Sequence, residues 1–135
     1  MALITWTSMF STGIGEQDNQ HKKLIELINQ LNDAMQEGKG AEVLGKVLSE
    51  LVSYTVFHFG YEEKLMDQYN YGDSSAHKSE HVKFVQTVGE FKKNFDSGNA
   101  VISVEVMNFL RDWLTNHIMK TDKKLGQSLV ALGAK

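Results

Sequence analysis

Five metal-binding side chains recur at helical spacing in this chain: His21, His58, His77, His81 and His117, which are all of its histidines. His21 stands three residues before Leu24. His58 and Glu62 are four apart, between Leu51 and Leu65. His77 and His81 are four apart and lead into Phe84 and Val88, and His117 follows Trp113 and Leu114. Residues three and four apart share a face of an α-helix, so each histidine continues an apolar stripe. A lone histidine on such a stripe is usually a hydrogen-bonded core residue, an i, i+4 pair arises by chance, and Glu62 alone fits a boundary position. Five imidazoles and an ionised carboxylate gathered in one dry layer are another matter, because their desolvation needs a compensating charge. A metal supplies it.

The donor set restricts the metal. With no cysteine, thiolate zinc sites, iron–sulfur clusters, disulfides and covalent haem attachment are excluded. One zinc takes about four ligands, too few for this set. Calcium and magnesium prefer oxygen. Imidazoles with carboxylates suit iron, and their number suits two irons sharing bridging carboxylates. A second carboxylate is then wanted near His117, and Asp122 is the candidate. Five residues turn about 140° past one whole helical turn, off the shared face. The spacing therefore predicts a break between Ile118 and Asp122, with Thr121 or Asp122 capping a short last helix and Asp122 turned back to the metals. Taken alone, Asp122 reads as a simple N-cap.

The elements that must position these groups are legible too. The chain has no proline, which suits long helices. Residues 1–17, with Trp6 and Phe10, read as an arm across the bundle. A helix over about 19–37, capped by Asp18, carries Leu24, Ile28, Leu31 and Met35, and Gly38-Lys39-Gly40 ends it. A second, about 41–66, turns Leu44, Val47, Leu48, Leu51, Tyr54 and Leu65 inward. After the turn Asn70-Tyr71-Gly72-Asp73, Ser74 or Ser75 caps a third over about 75–96, with Phe84, Val88, Phe91 and Phe95. After Asp96-Ser97-Gly98-Asn99 a fourth covers about 102–118, with Val106, Leu110, Trp113 and Leu114 inward. Residues 123–135 form a short helix and a tail.

Four helices of similar length on short turns predict an all-α fold: an up-down-up-down antiparallel four-helix bundle (18–122) with an N-terminal arm and a short C-terminal helix, one domain over 1–135. In that topology the start of helix one, the end of helix two, the start of helix three and the end of helix four coincide. All five histidines and Glu62 then fall in one layer.

The 135 residues carry a formal charge of −3, which argues against nucleic acid as the main partner. The first residues have neither a basic region nor a long apolar run, so no signal peptide is expected, and no stretch is apolar enough to span a membrane. A cytoplasmic protein is expected, and no long exposed apolar stripe singles out a protein partner.

The pattern His21, then His58-Phe59-Gly60-Tyr61-Glu62, then His77-Lys78-Ser79-Glu80-His81, then His117-Ile118-Met119-Lys120-Thr121-Asp122 resembles the hemerythrins, single-domain bacterial ones in particular. The lead-in Trp6…Phe10…Gly13…Asp18-Asn19-Gln20-His21 is similar to theirs, and the resemblance covers nearly the whole chain. Many relatives have proline two residues after the last histidine; Met119 stands there. The resemblance implies reversible dioxygen binding at a non-haem di-iron centre, in an oxygen carrier, storage or scavenging protein and not an enzyme. It implies His77, His81 and His117 on one iron, His21 and His58 on the other, and Glu62 and Asp122 bridging both together with a solvent-derived oxo or hydroxo group. Dioxygen would take the open position on the two-histidine iron. Leu24, Phe59, Trp113, Leu114 and Ile118 match the apolar pocket around it, where they equally serve as core.

Rival readings are weaker. Ferritin-like di-iron oxidases and ferroxidases use mostly glutamates with Glu-x-x-His pairs, and that motif is absent. A peroxidase-like or nitric-oxide-reducing activity would use the same site. An oxygen or iron sensor would be expected to carry a signalling domain. A haem bundle with two histidine ligands leaves three histidines and Glu62 unexplained.

Overall fold

The computed structural model describes residues 3–38, 41–98 and 104–134. The expected turn residues Lys39, Gly40 and Asn99, the first residues of the expected fourth helix and the ends of the chain lie outside them. Every regular element among the described residues is helical. After a short 3-10 turn at Ser8–Phe10 come α1 (Gly15–Gln36), α2 (Ala41–Gln68), α3 (Ser74–Asp96) and α4 (Val104–Asn116). A π-helical segment, His117–Asp122, then leads without interruption into α5 (Lys123–Ala131).

The stripes seen in the sequence form the core. Leu24, Ile28 and Leu31 of α1, Leu48 and Leu51 of α2, Phe84 and Val88 of α3, and Leu110 and Leu114 of α4 are all buried. α1 packs on α2, α2 on α3, and α1 on α4. Phe84 against Trp113, with ring centroids 4.2 Å apart, and Phe91 against Phe109 close the ring between α3 and α4. This is a four-helix bundle, and none of its described helices is long and apolar enough to cross a membrane.

The arm is tied down more firmly than its sequence suggested. The Asn29 side chain accepts from the backbone N–H groups of Leu3 and Ile4, both at 2.9 Å, and donates to the Ile4 carbonyl at 2.8 Å. Trp6 stacks on Phe10 beneath the Lys22 ammonium. Further on, Thr12 lies so close to α5 that a Cβ built on Gly126 would stand 2.3 Å from the Thr12 carbonyl oxygen. Only glycine lets the arm and the last helix meet there.

Three local expectations are corrected. Asp18 does not cap α1: the helix begins at Gly15, with Ile14 as its cap residue. The Asp18 carboxylate, already inside the helix, instead accepts from Ser11 Oγ (2.9 Å), the Thr12 N–H (2.9 Å) and Thr12 Oγ1 (2.8 Å), which docks the arm. At α3, Asp73 rather than Ser74 or Ser75 occupies the cap position, and its carboxylate pairs with Lys124 instead of capping. The third correction bears on function. The chain does not break between Ile118 and Asp122. Residues Asn116, Asp122 and Lys123 all keep right-handed helical dihedrals, and the Lys123 N–H reaches the carbonyl of Ile118, five residues back. A π-turn inserts an extra residue into the helical repeat. It thereby returns Asp122 to the side of His117 without opening the helix. Met119 keeps the backbone N–H that a proline there would lack. Neither Thr121 nor Asp122 caps α5: Thr121 Oγ1 donates to Glu80, and the Asp122 side chain makes no capping bond.

Candidate metal centre

Seven side chains from three helices and the π-turn that follows α4 meet at one end of the bundle: His21, His58, Glu62, His77, His81, His117 and Asp122. None is more than 3% exposed. They fall into two groups whose donor atoms lie within 4.8 Å of one another: Glu62, His77, His81, His117 and Asp122, and His21, His58, Glu62 and Asp122. Glu62 and Asp122 belong to both. The rings present the same nitrogen inward. His21 Nε2 lies 3.1 Å from Glu62 and 3.0 Å from Asp122, and His58 Nε2 lies 3.1 Å from Glu62. His81 Nε2 is 3.1 Å from the other Glu62 oxygen, while His77 Nε2 and His117 Nε2 stand 2.9 and 3.1 Å from Asp122 Oδ1.

What points the rings this way was missed from the sequence. His58 Nδ1 donates to Gln20 Oε1 (2.7 Å), His81 Nδ1 to Glu63 (3.0 Å) and His117 Nδ1 to Glu80 (3.0 Å). Each acceptor is the chain neighbour of a proposed ligand on one helix and serves a histidine on the next. Gln20 precedes His21 on α1 and holds the α2 histidine. Glu63 follows Glu62 on α2 and holds one on α3, and Glu80 precedes His81 on α3 and holds the one after α4. Neighbours in a helix point about 100° apart, so a residue beside an inward ligand faces the adjoining helix. Polar acceptors flanking ligand positions were the available signal. A bond that places the proton on Nδ1 leaves the Nε2 lone pair free for a metal.

The donor set fits a cation on several counts. His81 Nε2 and His117 Nε2 approach to 3.2 Å. With both Nδ1 protons committed outward, two lone pairs face each other unless positive charge lies between them. Both Asp122 oxygens, Glu62 Oε1 and His77 Nε2 are buried close to one another or to the other rings, yet none makes a contact with hydrogen-bond geometry, a cost that proteins rarely carry unanswered. Burial disfavours the charged ring of His21, yet the Asp122 and Glu62 charges outweigh it and push the ring up to about 9. His117, buried beside Asp122 and Glu80, is pushed up to about 10 in the same way. Burial opposes the charged carboxylates too, but the surrounding histidines hold Glu62 and Asp122 well below the usual carboxylate range. A proton and a metal ion answer this negative field alike and compete for the same nitrogens.

Five apolar residues are expected near the oxygen position: Leu24, Phe59, Trp113, Leu114 and Ile118. Leu24, Phe59, Leu114 and Ile118 are buried and Trp113 half-buried. Two of them sit on the three-histidine group: the Phe59 ring stacks on His81 at 3.8 Å and Trp113 on His117 at 4.4 Å.

A four-helix bundle with a buried layer of histidines sharing two carboxylates is a non-haem di-metal carboxylate protein. Its sequence matches the Hemerythrin HHE cation binding domain over residues 12–129, and the chain belongs to the hemerythrin family. It is 42% identical over 132 residues to a bacteriohemerythrin of Methylococcus capsulatus, covering 97% of this chain and all of that one. It is 40% identical over 119 residues to a hemerythrin-like protein of Naegleria gruberi, covering 88% of this chain and 87% of the relative. The crystal structure of a wild-type hemerythrin superposes with a TM-score of 0.89 at 41% identity, over 93% of this chain and 97% of that one. A leucine-to-alanine variant of hemerythrin gives 0.90.

Proposed function

We propose that the seven clustered residues hold two irons and that the centre binds dioxygen reversibly. His77, His81 and His117 serve one iron, His21 and His58 the other, and Glu62 and Asp122 both. The observation that carries the assignment is the overlap of the two donor groups in those two carboxylates. When bound, the irons supply two electrons and a coordination position for dioxygen. The residues do the rest. Three nitrogens on one side and two on the other leave one fewer protein donor on the His21 and His58 side, which is where a ligand fits. Gln20, Glu63 and Glu80 hold three of the rings in register. Leu24, Leu114 and Ile118 keep water away and offer no proton. Phe59 and Trp113, stacked on His81 and His117, are the apolar wall of the other side.

This reading makes the protein an oxygen carrier, store or scavenger rather than an enzyme, with arm, bundle and last helix acting as one domain. It carries with it the expectation of a cytoplasmic protein whose partner is dioxygen and not nucleic acid or a membrane. Reconstitution with ferrous iron under anaerobic conditions should give two irons per chain by elemental analysis. Exposure to air should produce a visible absorption band that disappears when oxygen is removed. One metal per chain would overturn the assignment. Sustained oxygen consumption under steady reductant would overturn the carrier reading in favour of a di-iron oxidase.

A further inference from the structure

One polar side chain in the metal layer is explained neither as a donor nor as a support for a histidine. Gln17 is fully buried, one helical turn before His21 on α1. Its Nε2 donates to Glu62 Oε2 at 2.8 Å. The reverse orientation of the amide would set a carbonyl oxygen against a carboxylate oxygen, so the donating assignment stands on electrostatics. Gln17 Oε1 has no partner. A buried amide with half its hydrogen-bonding capacity unmet costs stability, so this residue is a poor choice for packing alone. The oxygen it addresses also faces His21 and His58.

We infer that Gln17 is a positioning residue that tunes the electron density of the shared carboxylate Glu62, and through it the ferric–ferrous balance of the centre. The inference rests on the reading that Glu62 binds both irons. An N–H bonded to a carboxylate oxygen draws charge away from it, as partners beyond the ligands commonly do for metal sites. A carboxylate with less charge to give stabilises ferric iron less than ferrous. Gln17 therefore favours the reduced, oxygen-binding form.

The test uses Gln17→Met, which keeps the length of the side chain without donor or acceptor, and Gln17→Leu as a second apolar replacement. Thr55→Val serves as the control. Thr55 is a buried hydroxyl of α2 that donates only to the Leu51 carbonyl. Iron content, the midpoint potential of the loaded protein and the melting temperature of the metal-free protein are measured for all four proteins. Both Gln17 variants should retain two irons. Their ferric form should be favoured about tenfold more than in the parent, a lowering of about 59 mV for a one-electron couple, while Thr55→Val leaves the potential unchanged. The metal-free Gln17→Met protein should melt close to the metal-free parent, because loss of the bond to Glu62 is offset by removal of the orphaned Oε1. Potentials that shift less than twofold in equilibrium in both variants would reduce Gln17 to a packing residue and overturn the inference. A parent that fails to take up two irons would instead strike at the ligand assignment itself, and the two failures are distinct.

Discussion

The two ends of this bundle are built on opposite principles. Away from the metal layer, Ile28, Leu31, Leu48, Leu51, Val88 and Leu110 bring apolar surface together. That region is stabilised by removing hydrocarbon from water. At the other end the same helices bury five histidines, two carboxylates and Gln17, and several of their polar atoms have no partner within the protein. α1 runs through both regions, with His21 in one and Leu31 in the other. The comparison teaches that the first end supplies the stability on which the second depends. The second carries an electrostatic debt that a pair of cations discharges.

The sharpest way to break the comparison is at a proposed ligand. His77→Ala should lower iron affinity more than about 100-fold, beyond the range typical of residues that only support ligands. The iron-loaded protein should lose melting temperature. The metal-free variant should lose less, because without metal His77 Nδ1 has no partner and Nε2 faces Asp122 without a well-formed hydrogen bond. Elemental analysis and paired melts with and without iron check it, and two retained irons with unchanged melts would disprove the ligand role.

Next in size is a cavity in each region. Leu31 and Leu114 are both buried leucines, and truncating either to alanine should cost about 2–5 kcal/mol. Leu31 lies ten residues beyond His21, roughly 15 Å along the helix. Leu31→Ala should therefore keep two irons, the same spectrum and the same lifetime of the oxygenated form. Leu114 is one turn before His117. Leu114→Ala should keep the irons but lose the oxygenated colour faster, as water gains access. Leu114→Tyr, which places a hydroxyl near the ligand, should decay more slowly than Leu114→Ala. Denaturant melts give the first comparison and stopped absorbance traces the second. Equal lifetimes in the parent and in fully loaded Leu114→Ala would make Leu114 plain core.

The smallest effect concerns pH and the metal-free protein. His21 and His117 have folded values raised from 6.5 to about 9 and about 10. The stability they contribute is complete below 6.5 and is lost as pH rises through the raised values. Glu62 and Asp122 are lowered, so theirs is present above the ordinary carboxylate range and fades as pH falls below it. Melting temperature of the metal-free protein should therefore be highest in mildly acidic solution and fall between pH 6.5 and 10. Iron replaces those protons, so the loaded protein should show a flatter profile over the same window. Parallel profiles would mean that the site is not proton-coupled.

Much of this architecture was open to a reader of residues alone, and the misses are local and specific. Helices α2 and α3 lie within two residues of their expected limits, because their stripes are periodic and their ends carry turn residues. The start of α1 was misplaced because Asp18 is a familiar capping residue. Here its carboxylate binds Ser11 and Thr12, an arrangement that exists only once the arm has folded back. Asp122 joins the cluster as expected of its position, but through a π-turn rather than a break. Five residues do leave the face of an α-helix, and a π-turn corrects the phase more cheaply than a break, since it keeps the backbone hydrogen-bonded.

The sequence by itself determined the candidate donors and the helices that carry them, because periodicity is a local property and desolvation acts on each buried group. The tertiary structure alone decided which residues aim the rings. The bonds from His58 to Gln20, from His81 to Glu63 and from His117 to Glu80 cross 38, 18 and 37 residues of chain. Gln17 lies 45 residues from the carboxylate it holds. Such bonds have no period to betray them. They depend on the rotation of one helix against its neighbour, which is set by packing across the whole bundle and not by any one segment.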